Sequence, residues 1–126
     1  MGVTLSPRLA LTVGAVAAFV FGVPLVVFPA AVLGSSGVTA SDVAISLSRG
    51  AGATLIGLGV INWMARNASG EALGARLVGN LVVQALSLVV NAYGVLTGQL
   101  PPQSGVASPI HLVLAAVFVL GMRGAR

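Results

Sequence analysis

The chain is 126 residues long, 57% hydrophobic and only 6% charged, where an average soluble domain is about a quarter charged. Its net charge of +4 comes from arginines scattered between apolar runs, with no lysine among them. With no basic run interleaved with aromatics, this pattern excludes nucleic-acid binding and fits membrane topology. Cysteine is absent, which removes disulfides, thiolate metal sites and a CxxC redox relay. The expectation is an all-α integral membrane four-helix bundle, one domain over residues 1–126.

The first predicted helix covers about 7–28. Pro7 suits a first-turn position, because its missing N–H is not needed there. The apolar run is longer than a signal-peptide core, so it is expected to stay as an uncleaved anchor. Gly14, Ala18 and Gly22 repeat every four residues and form a small-residue face for another helix. Pro24 is expected to kink or loosen the last turn, and Pro29 to end the span.

Residues 30–41 read as a loop around a Gly-Ser-Ser-Gly break. Thr39 with Asp42 resembles a capping box, placing the next helix start near Ala40 and its body at about 42–66. Arg49 stands at the entrance to the apolar part. The favoured reading is a snorkelling interfacial arginine; the sharper one turns it inward to hold an anion or a polar neighbour. Gly50, Gly52, Gly57 and Gly59 thin this helix, and Gly50 and Gly57 are taken as packing positions. Asn62 projects away from Arg49, while Trp63 and Arg66 mark an aqueous interface.

After a short loop containing Glu71, the third helix is predicted over about 75–98. Within it Asn80, Gln84, Ser87 and Asn91 are spaced by four, three and four residues. At about 100° per residue they share a wedge of roughly 60° on one face. Hydrocarbon offers an amide no hydrogen-bond partner, so the stripe must face other helices, a ligand or a watery cavity. Tyr93 points away from it, and Gly94 with Gly98 makes a weak GxxxG spacing. Residues 99–108 read as an uncharged extended turn. Ser108 and Pro109 then look like the cap and first-turn proline of a fourth helix over about 108–122.

Arg8, Arg66, Arg76, Arg123 and Arg126 belong to the termini and the middle loop, and only Arg49 to the other side. The positive-inside rule then places both termini in the cytoplasm, in a multi-pass protein of the bacterial inner membrane. That topology pairs Asn62 with Asn80 at an inner level and Asn91 with His111 at an outer one, with Gln84 between.

Two readings of these groups stand side by side. In one they bond each other and fix helix register, at about 0.6 kcal/mol per interhelical bond. In the other, Asn62, Asn80, Gln84, Asn91, His111 and Arg49 serve a cavity for a quinone, lipid, carotenoid or pigment. His111 is the single histidine, so it offers one haem or chlorophyll ligand and excludes a bis-histidine haem within one chain. Asp42 and Glu71 are the only carboxylates and fall on opposite sides, so no acid–base pair, metal cluster or nucleophile triad can be assembled.

The run Arg49-Gly50-Ala51-Gly52-Ala53, the segment Trp63-Met64-Ala65-Arg66 and the helix opening Ala75-Arg76-Leu77 resemble small bacterial four-helix membrane proteins of the DoxX-like kind. The resemblance covers most of the chain. It implies a four-helix bundle and, in some relatives, an accessory role beside a redox enzyme. The sequence therefore points first to a non-catalytic accessory subunit or homo-oligomer, partnered by lipids and other transmembrane chains. A binding protein for a hydrophobic small molecule comes second, and a membrane enzyme acting on a lipid or quinone last.

Overall fold

Ser6 starts the first helix, its hydroxyl accepting from the Leu9 N–H at 3.1 Å, and Pro7 occupies the first turn. This helix, α1, runs over Pro7–Val27 in a computed structural model that describes residues 2–126. It continues through Pro24, and the Phe28 N–H closes the last turn on the Pro24 carbonyl at 2.7 Å.

Residues 30–41 are not all loop. A short helix, α2, covers Pro29–Ser35. Proline lacks the N–H that a continuing helix needs, yet a first turn does not use that donor. Pro29 therefore ends one helix and begins the next.

The following helix, α3, spans Asp42–Ala65. Its cap is Ser41, whose hydroxyl accepts from the Ala44 N–H at 3.2 Å, and not Thr39. Asp42 instead lies in the first turn, where a carboxylate complements the helix dipole.

Only residues 66–69 separate α3 from α4, which covers Gly70–Leu96 and so begins about a turn earlier than predicted. Gly70 reverses the chain at φ +61, a left-handed conformation that glycine adopts without strain. At the far end Leu100 folds back, its N–H bonding the Gly94 carbonyl at 2.9 Å. A side chain at Gly94 would strike Leu100, so this glycine serves the loop.

The predicted extended turn contains a 3-10 turn over Pro102–Val106 that leads directly into α5, Ala107–Gly124. Ser108 does not cap α5; it lies inside the first turn and bonds elsewhere.

The chain is all-helical among the described residues. Four stretches are long and apolar enough to cross a membrane: Pro7–Val27, Asp42–Ala65, Gly70–Leu96 and Pro102–Gly124. α1 packs mainly on α3 and α4 on α5, while α1 against α5 joins the two pairs. α3 and α4 are neighbours in sequence but scarcely touch.

Glycine sets the α1–α3 distance. A β-carbon on Gly52 would lie 2.7 Å from the Gly22 carbonyl oxygen, and one on Gly59 would crowd Phe19. Gly14 admits Phe118 and Asn62, and Ala18 is buried. Gly50 and Gly57 face open space. Any packing they do is against something outside this chain.

Both ends of the described chain lie at one end of the bundle, where the Leu5 N–H bonds the Leu120 carbonyl at 3.1 Å. The buried cluster of Ala10, Leu11, Ala65, Leu77 and Phe118 fills that end.

Candidate functional site

The face of α4 that carries the polar stripe turns inward. Asn80 and Gln84 are buried, and Ser87 and Asn91 are half-buried. Their partners divide the stripe into three levels.

At the level nearest the termini, Asn62 and Asn80 close on each other. Asn62 Nδ2 donates to Asn80 Oδ1 at 2.8 Å, and Asn80 Nδ2 donates to Asn62 Oδ1 at 2.7 Å. Asn80 Nδ2 also reaches the Arg76 carbonyl, one turn back, at 2.8 Å. Asn62 is fully buried and Asn80 nearly so. This pair is the main bridge between two helices that otherwise leave a gap. The placement agrees with the depth argument from topology.

The outer level differs from the predicted pairing of Asn91 with His111. Asn91 Oδ1 accepts from the Ser108 hydroxyl at 2.7 Å, and Asn91 Nδ2 donates to the Ser104 carbonyl at 3.1 Å. Ser104 then donates its own hydroxyl to the Ser36 carbonyl at 3.0 Å. One polar chain thus ties α4, α5 and the two loops at the end opposite the termini. Because Ser108 rather than His111 sits beside Asn91, His111 falls nearly a turn deeper, about 4.5 Å at 1.5 Å per residue.

There it meets Gln84. His111 Nδ1 lies 2.7 Å from Gln84 Oε1. An amide oxygen can only accept, so Nδ1 carries the proton, and the neutral form of this ring offers its lone pair on Nε2. Neither His111 Nε2 nor the Gln84 amide nitrogen bonds a described residue, and neither is fully buried.

These two side chains line a cavity of about 210 Å³ where α1, α3, α4 and α5 meet. Its walls are otherwise mostly apolar, with Phe21, Leu25, Leu55, Leu58 and Ile110 prominent. Gly14 and Ala18 of the small-residue face also border it, so small residues on α1 make room as well as contact. Asn80 reaches the edge, although both ends of its amide are already engaged.

Of the predicted site residues, the structure gathers Asn80, Gln84 and His111 at the cavity and leaves three elsewhere. Asn62 stands behind Asn80. Asn91 belongs to the outer polar chain. Arg49 is exposed and donates from Nε to the Val26 carbonyl at 3.4 Å, near the end of α1. A cation suits that position, where a helix exposes its last carbonyls. Arg66 lies over Trp63, 4.0 Å from the ring centroid, as an interfacial pair should.

Ser36, Ser104 and Ser108 were missed as polar partners. Ser108 was legible, since it shares a helical face with His111 three residues on. The serines at 36 and 104 carry no periodic signal. No group of three or more metal-binding side chains occurs among the described residues. No protein-family model, curated protein or solved structure matches the chain.

Proposed function

We propose that this chain is a non-catalytic multi-pass membrane protein that holds the carbonyl- or hydroxyl-bearing head of an apolar, lipid-soluble molecule between its helices. One observation carries the reading. A donor on Gln84 and an acceptor on His111, both without partners among the described residues, lie side by side on a mostly apolar cavity wall. That combination is what a binding site for a mostly apolar molecule uses to orient it.

Size narrows the class. A cavity of about 150 Å³ accepts benzene, so 210 Å³ suits one substituted six-membered ring. A quinone or hydroquinone head fits this description. A carotenoid or tetrapyrrole would have to extend well beyond the space that a single ring fills. Asp42 and Glu71 are exposed and remote from the cavity, so no carboxylate stands ready for acid–base chemistry there.

Calorimetric titration of a short-chain benzoquinone, and separately its hydroquinone, into the detergent-solubilised chain tests the proposal. Saturable one-to-one binding that disappears in Ala17→Phe, which fills the cavity, is expected. Absence of saturable binding for both forms overturns it.

The orientation proposed with this reading puts both termini in the cytoplasm of a bacterial inner membrane. Arg8, Arg66, Arg76, Arg123 and Arg126 belong to the end that holds the termini, and the positive-inside rule supports that assignment. Because native cysteine is absent, single-cysteine labelling reads topology directly. In intact cells an impermeant maleimide should label Thr39→Cys and spare Ala125→Cys; the reverse pattern inverts the orientation.

A second reading, lateral association as an accessory subunit or homo-oligomer, is favoured by one feature. Gly50, Ala53, Thr54 and Gly57 are all exposed and share one face of α3. This is also where the DoxX-like resemblance of residues 49–53 lies, with its implied role beside a redox enzyme. Cysteine crosslinking at position 53 in native membranes is expected to trap a dimer or a second chain under this reading, and to trap nothing without it.

A further inference from the structure

The gap between α3 and α4 is itself lined, and by an unusual floor. Nearer the terminal loop, Ile61, Met64 and Ala65 face Ala72 and Arg76 across a groove of about 490 Å³. Farther up, Leu58 and Ile61 face Ala75, Arg76 and Gly79 across about 370 Å³. Small residues on α4 keep the groove open, and a β-carbon on Gly79 would still meet nothing within 4 Å.

Arg76 lies in both parts. Its side chain is half-buried, and its Nε is a buried donor with no hydrogen-bond partner among the described residues. A guanidinium is always charged, and a buried donor of a charged group is costly when unmade. Nothing acidic in the chain can meet it. Glu71 is exposed and lies about 140° around α4 at 100° per residue. Asp42 is at the other end of α3. Asn80, the polar neighbour above, has its amide committed to Asn62 and to the Arg76 carbonyl.

Depth supplies the remaining constraint. Arg76 follows the start of α4 by six residues, about 9 Å along the axis at 1.5 Å per residue. A helix of 27 residues is about 40 Å long, so centred on a hydrocarbon core of about 30 Å it places the Arg76 Cα about 4 Å below the headgroups, within snorkelling reach of them, with apolar walls continuing toward the bilayer centre.

The geometry points to a binding site for an anionic phospholipid. Its phosphate sits on the Arg76 guanidinium, and one acyl chain runs up the α3–α4 groove past Ile61 and Leu58 and over Gly79. Arginine presents a planar fork that matches two phosphate oxygens, and a turn of the half-buried side chain brings Nε into that fork. The groove borders the central cavity at Leu58 and Asn80, and Arg76 belongs to the groove alone. It is a specific seat, distinct from the general lipid contact that every transmembrane helix makes.

Native mass spectrometry of the full chain, delipidated and re-equilibrated with equal phosphatidylglycerol and phosphatidylcholine, tests the site. The unaltered chain should retain phosphatidylglycerol over phosphatidylcholine by about tenfold, the scale of one charge-assisted hydrogen bond. Arg76→Gln should abolish the preference, and Arg123→Gln, an exposed arginine at the same end, should keep it. Ala72→Glu is the second variant. Position 72 is exposed, and a glutamate four residues before Arg76 competes with the phosphate while leaving the arginine in place; the preference should fall again. Excess inorganic phosphate should not displace the lipid adduct. Equal retention of the two lipids overturns the proposal. So does a preference that survives both groove variants, or displacement by inorganic phosphate, which would mean a site for the free anion.

Discussion

Of the polar side-chain pairs that cross this bundle, the two nearest its core end differently. Asn62 and Asn80 each give a donor and an acceptor to the other, so the pair is closed. Gln84 and His111 share one hydrogen bond and keep a donor and an acceptor in reserve at a cavity. In hydrocarbon a closed pair can only hold helices together, whereas an open pair still needs a partner. Under the proposed function the same residue class serves register at one level and recognition at the next. What separates the roles is the count of unmade hydrogen bonds.

The largest expected effect comes from opening the closed pair. Asn62→Leu strands the Asn80 Oδ1 in a buried site and removes both reciprocal bonds, leaving Asn80 Nδ2 only the Arg76 carbonyl. Unfolding in mixed micelles should show a loss of about 1–2 kcal/mol. The double change of Asn62 and Asn80 to Leu should cost less than the sum of the two single changes, as coupled partners do. An additive result would break the comparison, because it would mean the pair is not closed. Gly14→Ala presses on the same level from α1. The added carbon would stand 2.6 Å from Phe118 Cζ and 3.0 Å from Asn62 Nδ2. Overpacking of this kind costs about 1–3 kcal/mol, and the lower part of that range is expected because the Phe118 ring can shift.

Smaller effects are expected farther along the stripe. Ser108→Ala removes one bond from the outer polar chain and should cost about 0.6 kcal/mol, with no change in ligand binding. Gln84→Leu should cost no more than that in stability, since it deletes a single hydrogen bond and adds apolar surface to an apolar wall. If it destabilises as much as Asn62→Leu, the two pairs do the same work and the distinction fails.

Much of this arrangement was legible in the sequence. A stripe at helical spacing inside an apolar run had to face inward, and Asn62 opposite Asn80 followed from chain direction and depth. Local rules failed where one residue answers to two of them. Pro29 was read as a terminator, but its missing N–H equally suits the start of α2. The loop containing Glu71 was expected to reach the helix start at about 75, yet a turn of four residues suffices and α4 begins at Gly70. Ser108 before a proline looked like a cap, and its hydroxyl instead found Asn91 across the interface. That choice fixed the depth of α5 and moved His111 from Asn91 to Gln84. The cavity lay beyond periodicity altogether, because it depends on how four helices splay, as does the gap that exposes Arg76.

The central claim is that the open pair recognises a ligand, and one measurement addresses it most directly. The affinity of a short-chain benzoquinone should be determined by calorimetry for the unaltered chain, Gln84→Leu and the Asn62→Leu, Asn80→Leu double variant, each with its helicity checked. Gln84→Leu is expected to weaken binding about tenfold or more, the scale of a hydrogen bond to a buried site. The double variant should stay within about threefold of the unaltered chain, having lost stability but not the reserved donor and acceptor. Equal weakening in both, or unchanged binding in Gln84→Leu, would contradict the account.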